Sequence, residues 1–245
     1  MKEVAADNEA TFARRGSAYL VHVYTASGVV FAFLAAAEIC QTTPDVKRVF
    51  LLLFIALFID ASDGPLARRY QVKRWAAATD GRTIDDIVDY LTFTFIPLLL
   101  IWRMGWLPDP AALWIAPALI ASLFGFSNTK AKDEVNGFFL GFPSYWNIFA
   151  FYAGLWKTPT GTWINGILLL VLALMTLLPV RFIYPNLAPP KWKWPVMVGA
   201  FLWLGSLIAV WISYPDASSW LIGASLIYPA FYTWLSYWLH RGRTG

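Results

Sequence analysis

Long apolar runs dominate this sequence, and two of them bracket a polar stretch at residues 60–89. The first run is VFLLLFIALFI, residues 49–59, and the second is YLTFTFIPLLLIW, residues 90–102. The chain is 58% hydrophobic and 14% charged, with a mean hydropathy of +0.54, which is typical of a polytopic membrane protein. We therefore predict an all-α integral membrane fold.

The apolar pattern predicts about eight transmembrane helices, because about 20 apolar residues cross the hydrocarbon core. Residues 1–16 are polar, and we expect a short interfacial or disordered N-terminus there, followed by a single membrane domain over residues 17–240. The expected spans are, approximately, residues 17–38, 46 to beyond 63, 82–104, 110–127, 143–157, 161–183, 195–213 and 218–239.

Basic residues are distributed unevenly between the predicted loops. If the N-terminus is cytoplasmic, four of the nineteen Lys and Arg residues fall on the far side and fifteen on the cytoplasmic side. The four are Lys47, Arg48, Arg103 and Lys157. This bias predicts that both termini are cytoplasmic. It also accounts for the net charge of +4, so we expect no nucleic-acid partner.

Four aspartates of the polar stretch have spacings that place them in pairs on helix faces. Asp60 and Asp63 are separated by three residues, and Asp85 and Asp89 by four. If the two helices are antiparallel neighbours, the four carboxylates can converge, and they would repel unless cations lie between them. Oxygen ligands suit Mg²⁺ or Mn²⁺. Asp86 points about 100° away from Asp85 and is left out of this set.

The stretch also contains a longer pattern, which reads Asp60-x2-Asp63-Gly64-x2-Ala67-Arg68 and then Gly81-x3-Asp85-x3-Asp89. It resembles the signature of the CDP-alcohol phosphotransferase family, membrane enzymes that move a phosphatidyl or similar group from a CDP-linked donor to an alcohol and release CMP. Twelve residues separate Arg68 from Gly81, where most members have eight. This longer spacer is similar to that of the bacterial phosphatidylcholine synthase branch, which joins CDP-diacylglycerol to choline. Typical members have six spans, so eight would be a second departure.

The resemblance implies roles for the signature residues. Asp60, Asp63, Asp85 and Asp89 would hold two Mn²⁺ or Mg²⁺ ions, and Asp89 would also act as the base. The donor would be bound by the remaining signature residues, which are Gly64, Ala67, Arg68 and Gly81. A glycine inside a helix costs up to about 1 kcal/mol relative to alanine, which favours close approach of a ligand as the reason for Gly64.

The first predicted span opens with an unusually polar segment, HVYTASG, residues 22–28. In the resembled family this span lends polar residues to the cytidine pocket, which makes Thr25 and Ser27 candidates for donor binding. The alternative is that its small residues only let helices pack closely.

Choline carries a quaternary ammonium, which aromatic ring faces recognise. Our candidates are Tyr145 and Trp146, in the segment GFPSYWN that is similar to the same branch, and Tyr24 in the first span. The alternative is that they are interfacial belt residues. The acceptor could also be serine, inositol phosphate or glycerol phosphate. A different class, an ion-coupled transporter, would use the carboxylates as a cation pathway.

The linker after residue 67 is strongly basic. Topology bias explains its charges, and attraction for anionic lipid headgroups and the donor pyrophosphate is the functional alternative. We assign both explanations to Arg68. For the other basic residues topology bias alone is expected, and these are Arg69, Lys73, Arg74 and Arg82. The resemblance further implies CDP-diacylglycerol, choline and membrane lipids as partners, a homodimer in many members, and a bacterial inner-membrane location with the active site facing the cytoplasm.

Overall fold

The computed structural model describes residues 2–128, 132–133, 137–156, 158–184 and 188–241. Side chains are described within residues 11–128, 137–156, 158–184 and 188–239. Lys157, which enters the charge count above, lies outside these ranges. The chain is mostly helical, and it divides after Leu99 into two compact units, which are considered separately here.

The first unit is built from helices that meet at short turns. Ser27 separates α1 from α2, and a long apolar helix, α3, follows after a short loop whose Asp45 side chain accepts a hydrogen bond from the Arg48 N–H at 3.1 Å. The elements are α1 (Lys2–Ala26), α2 (Gly28–Ile39), α3 (Val46–Arg69), α4 (Val72–Trp75), α5 (Gly81–Asp89) and a π-helical turn (Tyr90–Phe95) that leads into α6 (Ile96–Arg103).

Close packing at Gly28 joins α2 to α5. A Cβ atom at this position would lie 2.5 Å from Cγ1 of Val88, which real Cβ atoms essentially never approach so closely. Since α5 also carries Asp85 and Asp89, the missing side chain of Gly28 lets the acidic helix lie against the first membrane span. Gly28, the last residue of the polar segment 22–28, therefore allows close helix packing, which was the alternative interpretation of this segment.

The second unit contains the remaining helices and a small sheet that the sequence patterns did not predict. The helices are α7 (Ala111–Ser127), α8 (Trp146–Ala153), α9 (Pro159–Leu177), α10 (Pro190–Ile212), α11 (Ser219–Ser225) and α12 (Ile227–Arg241). The antiparallel strands are β1 (Lys132–Asp133), β2 (Phe138–Leu140) and β3 (Arg181–Ile183), in the order β1-β2-β3. The structure is mostly helical, as the all-α prediction states, and these strands were not predicted because two or three residues are too few to show alternation.

Four helices of the described chain are long and apolar enough to cross a membrane. They are Thr11–Ile39, which runs through α1 and α2, and Val46–Arg69, Pro159–Leu177 and Pro190–Ile212. The other predicted spans coincide with shorter or interrupted helices, such as α8, whose eight residues extend only about 12 Å. A membrane protein is therefore supported, and the count of eight spans stays a prediction.

The N-terminal stretch belongs to a helix rather than to a separate disordered segment. α1 begins at Lys2 and continues without a break to Ala26, which differs from a disordered segment, and an interfacial location of residues 1–16 stays a prediction. Alanine, glutamate and arginine are strong helix formers, and they are frequent in residues 3–15.

Candidate active site

The acidic helix α5 begins at a well-defined cap. The carboxylate of Asp80 accepts hydrogen bonds from the Arg82 N–H at 3.0 Å and from the Thr83 hydroxyl at 2.8 Å. These two donors, with the Thr83 hydroxyl contributing most, lower the pKa of Asp80. The cap fixes where the helix starts, and the spacing of four residues then puts Asp85 and Asp89 on one face.

Three carboxylates converge between α3 and α5. One oxygen each from Asp60, Asp85 and Asp89 lies within 4.8 Å of the others, and all three residues are partly buried. Three like charges at about 5 Å repel by on the order of 3 kcal/mol per pair at an effective dielectric constant of about 20. A bound divalent cation would reverse this repulsion, and an all-carboxylate oxygen set is the chemistry that Mg²⁺ and Mn²⁺ prefer. The residues present therefore fit a metal ion.

Asp63 lies outside that group of three. It is 9% exposed, and its Oδ2 accepts a hydrogen bond from the hydroxyl of Thr25 at 2.8 Å. Thr25 also donates to the carbonyl of Val21 at 3.3 Å. The polar segment of the first span therefore reaches the acidic site through a threonine that holds one of the four signature carboxylates.

The other polar residues of this segment make local contacts. The hydroxyl of Ser27 donates to the carbonyl of Tyr24 at 2.6 Å, within the junction of α1 and α2. A hydrogen bond of 2.7 Å joins the hydroxyls of Tyr24 and Ser62, which places the half-buried ring of Tyr24 one residue from Asp63 along α3. Thr25 and Tyr24 thus lie next to α3, whereas the hydroxyl of Ser27 donates to the backbone of its own helix junction.

The small signature residues of α3 have different surroundings. A Cβ atom at Gly64 would meet only the Arg68 guanidinium, at 3.5 Å from Nη1, which is an ordinary contact. Arg68 therefore extends back over Gly64, one turn earlier on the helix. Ala67 instead packs against a buried cluster formed by Ala18, Val21, Val72 and Ala76, so its small size also serves the contact between α1 and α4.

Gly81 lies directly against a buried histidine that the sequence analysis did not single out. A Cβ atom at Gly81 would stand 2.7 Å from Cε1 of His22. His22 is 7% exposed, and its Nε2 has no hydrogen-bond partner among the described residues. The signal available in the sequence was the polar run at residues 22–28, but nothing in it indicated that the imidazole meets the start of α5.

This contact predicts the effect of Gly81→Ala. Helix propensity alone would make alanine more favourable than glycine by up to about 1 kcal/mol. Overpacking against the His22 ring costs about 1–3 kcal/mol, so the variant should be less stable. Thermal unfolding in detergent measures the difference, and His22→Ala in the same background should restore part of it. Gly64→Ala is the matched control, because its Cβ meets no tight contact, and equal destabilisation of both variants would contradict the packing argument.

The segment after Asp89 has an uncommon geometry. Tyr90–Phe95 forms a π-helical turn between α5 and α6, and the hydroxyl of Thr92 donates to the carbonyl of Val88 at 2.9 Å. Insertions of this kind are found frequently at functional sites. The turn changes the helix register directly after the last acidic residue, and sequence periodicity did not reveal it.

Asp86, which was left out of the metal set, pairs with Arg82 at 3.5 Å between Nε and Oδ2, and it is not part of the group of three.

The two aromatic candidates of the second unit differ in burial. Trp146 is fully buried, its indole N–H donates to the Ser122 hydroxyl at 2.7 Å, and its ring packs against aromatic neighbours. Its indole is therefore packed inside the second unit. Tyr145 beside it is 44% exposed.

Residues 20–211 match the family described as CDP-alcohol phosphatidyltransferase, which is well over half of the chain. The chain belongs to the CDP-alcohol phosphatidyltransferase family. Each of the residues proposed above as a metal, donor or acceptor ligand lies inside the matched range.

Curated phosphatidylcholine synthases are similar in sequence to this chain over most of their length. The phosphatidylcholine synthase of Pseudomonas aeruginosa is 34% identical over 225 residues, which cover 91% of this chain and 92% of the relative. The phosphatidylcholine synthase of Legionella pneumophila is 32% identical over 229 residues, or 91% of this chain and 88% of the relative. That of Bradyrhizobium diazoefficiens is 34% identical over 225 residues, or 84% and 82%.

Proposed function

We propose that this protein transfers the phosphatidyl group of CDP-diacylglycerol to choline, giving phosphatidylcholine and CMP. The observation that carries the proposal is the convergence of Asp60, Asp85 and Asp89. It occurs in a member of this family that aligns with 92% of the phosphatidylcholine synthase of Pseudomonas aeruginosa. The transporter alternative is disfavoured by the same match.

Metal binding is the first role of the acidic group. Asp60, Asp85 and Asp89 would hold a divalent ion, and Asp63, supported by Thr25, would complete the ligands of a second. When bound, the two ions would neutralise the donor pyrophosphate and stabilise the leaving phosphate of CMP. The hydrogen bond from Thr25 orients one oxygen of Asp63, as supporting contacts generally do for metal ligands.

Asp89 would accept the proton of the choline hydroxyl. The choline oxygen forms a bond to the phosphorus of the phosphatidyl group, and the bond from that phosphorus to the oxygen of CMP breaks. A choline hydroxyl is a poor nucleophile, so a positioned base contributes about 10²–10⁴-fold to the rate. Asp89 is the last residue of α5 before the π-helical turn.

The donor would lie along the polar face of α3. The Arg68 guanidinium is the one described group within 4 Å of a Cβ at Gly64, so a donor phosphate could approach the backbone there and bind this complementary charge. Gly81 and Thr25 would border the donor through their contacts with His22 and Asp63, and Ala67 through its small size. For Ser27 the local hydrogen bond makes an indirect role, in shaping the junction between α1 and α2, the better proposal.

Recognition of choline would rest on aromatic faces. Tyr24 is the candidate that we favour, because its ring is half-buried and its hydroxyl is bonded to Ser62 beside Asp63. A quaternary ammonium over such a ring gains about 0.5–2 kcal/mol, and neighbouring carboxylates add long-range attraction. Trp146 is left out because it is fully buried, and Tyr145 is retained as a candidate of the second unit.

An acceptor screen with purified protein tests the proposal. CMP release from CDP-diacylglycerol would be measured with choline, serine, inositol phosphate and glycerol phosphate, each with Mg²⁺ and with Mn²⁺. We expect release with choline alone. Release with serine but not choline would reject the acceptor, and the absence of release with every alcohol would reject the transferase.

We also propose a bacterial inner-membrane location with eight spans, both termini cytoplasmic and the acidic site at the cytoplasmic boundary. Thr83 is exposed two residues before Asp85, and the exposed Cys40 lies in the loop between α2 and α3, on the opposite side in this topology. A membrane-impermeant thiol reagent applied to intact spheroplasts should label native Cys40. A Thr83→Cys variant that lacks Cys40 should be labelled only in inverted vesicles, and the reverse pattern would overturn the orientation.

A further inference from the structure

A basic cavity of about 480 Å³ lies where α1 meets the turn between α3 and α4. Three guanidiniums line it, those of Arg14, Arg69 and Arg74, and none of its lining residues is acidic. Trp75 and Tyr70 form part of its wall. None of these side chains was assigned to the reaction above, and the sequence analysis attributed Arg69 and Arg74 to topology bias alone.

The chain brings these cations together by a sharp reversal. Gln71 has a φ of 50°, a left-handed conformation that residues other than glycine rarely adopt, and it separates α3 from α4. α4 is thereby folded against α1, where Val72 is buried with Ala18. Arg14 and Arg74 are 60 residues apart in the sequence, so only the tertiary fold places both at one cavity.

Both of these arginines are held by one aromatic side chain. The guanidinium carbon of Arg74 lies 4.7 Å from the ring centroid of Trp75, and that of Arg14 lies 5.5 Å from it. No described carboxylate forms an ion pair with Arg14, Arg69 or Arg74. Like charges held this way repel, and a phosphate between guanidiniums relieves the repulsion while accepting their paired N–H donors.

We infer that this cavity binds the phosphate of an anionic phospholipid, at a site separate from the acidic group. Arg69 is nine residues beyond Asp60, or about 13 Å along α3. Phe12, two residues before Arg14 on α1, is 80% exposed, as a side chain in contact with lipid would be. Clusters of basic residues at such a boundary attract anionic headgroups. A free phosphate has the same chemistry, and the test separates the two sources.

The test compares two charge-matched double variants of the full-length protein in nonionic micelles at 0.15 M salt. Arg14→Gln with Arg74→Gln changes the cavity, and Arg15→Gln with Lys73→Gln removes the same charge from the adjacent positions, which do not line it. Binding of phosphatidylglycerol that carries a fluorescent acyl chain is one arm, and binding of inorganic phosphate without lipid is the other. We expect the cavity pair to bind phosphatidylglycerol about tenfold more weakly or worse, and the control pair to change by less than about threefold.

Each outcome decides the inference. Loss confined to the lipid arm supports a headgroup site, and equal loss in the phosphate arm supports a phosphate site without a lipid requirement, which overturns the lipid source. Equal losses in the two double variants overturn the cavity. The CDP-diacylglycerol KM of the cavity pair should stay within twofold, and a rise that matches the loss of lipid binding would make the cavity part of the donor site. If thermal unfolding shows that the variant with Arg14→Gln and Arg74→Gln is not folded, the variant with Arg69→Gln and Arg74→Gln takes its place.

Discussion

Asp85→Asn should lower CMP release at least a thousandfold while the protein stays folded. Asp85 is the middle member of the acidic group, four residues before Asp89 on α5 and within 4.8 Å of the ligand oxygen of Asp60. Asparagine has nearly the same shape, but it removes a charged oxygen ligand, and a thousandfold loss corresponds to about 4 kcal/mol of transition-state stabilisation. The measurement is CMP release at saturating donor and choline over a range of Mg²⁺ and Mn²⁺ concentrations.

Asp86→Asn provides the matched control for that experiment. Asp86 is the next residue of the same helix, but it pairs with Arg82 and stands apart from the acidic group. It should keep activity within a few-fold of the unchanged protein, because a partly exposed ion pair contributes little. Near-normal release by Asp85→Asn at saturating metal would refute the metal site, and an equal loss in both variants would indicate a general effect of charge on α5.

The acidic group could be predicted from the sequence to a large extent. The spacing of Asp85 and Asp89 determines that they share a face, and the apolar runs on either side require two neighbouring helices at that point. The position of Asp63 could not be predicted in the same way. A separation of three residues leaves it about 60° from Asp60 around α3, and the hydrogen bond that it accepts from Thr25 depends on how α1 packs.

Other features of the fold depend on tertiary contacts, which local sequence patterns do not reveal. Trp146 stands at the beginning of α8, a position typical of a belt or ligand-binding aromatic, yet it is fully buried against Ser122, 24 residues earlier. The strands of the small sheet pair over only two or three residues, so neither alternation nor length distinguishes them from loops. The contact of His22 with Gly81 joins residues almost 60 positions apart.

The boundaries of the membrane helices illustrate the same limit. Hydropathy placed α3 correctly, since residues 49–59 of this 24-residue helix are all apolar. It does not report the break at Ser27, in the polar segment of the first span, or the π-helical turn at Tyr90–Phe95, because both are changes in backbone hydrogen bonding that hydropathy does not reveal. Both irregularities border the acidic site, one beside Thr25 and the other directly after Asp89.

Asp89→Asn should lose turnover far more than it loses donor affinity, if Asp89 is the base. Removing a general base costs about 10²–10⁴-fold in the chemical step, whereas binding of the donor pyrophosphate would still be supported by the other carboxylates. Donor affinity is measured by equilibrium binding of CDP-diacylglycerol in the presence of metal, and turnover by CMP release with choline.

Asp60→Asn separates this role from simple metal binding. Asp60 belongs to the same acidic group but lies on α3, and no proton transfer is proposed for it, so its variant should lose donor affinity and turnover together. Asp89 differs in its place at the end of α5, where the π-helical turn shifts the register of the following residues. If Asp89→Asn instead loses donor affinity as severely as Asp60→Asn does, Asp89 is an ordinary metal ligand and the base must be sought elsewhere.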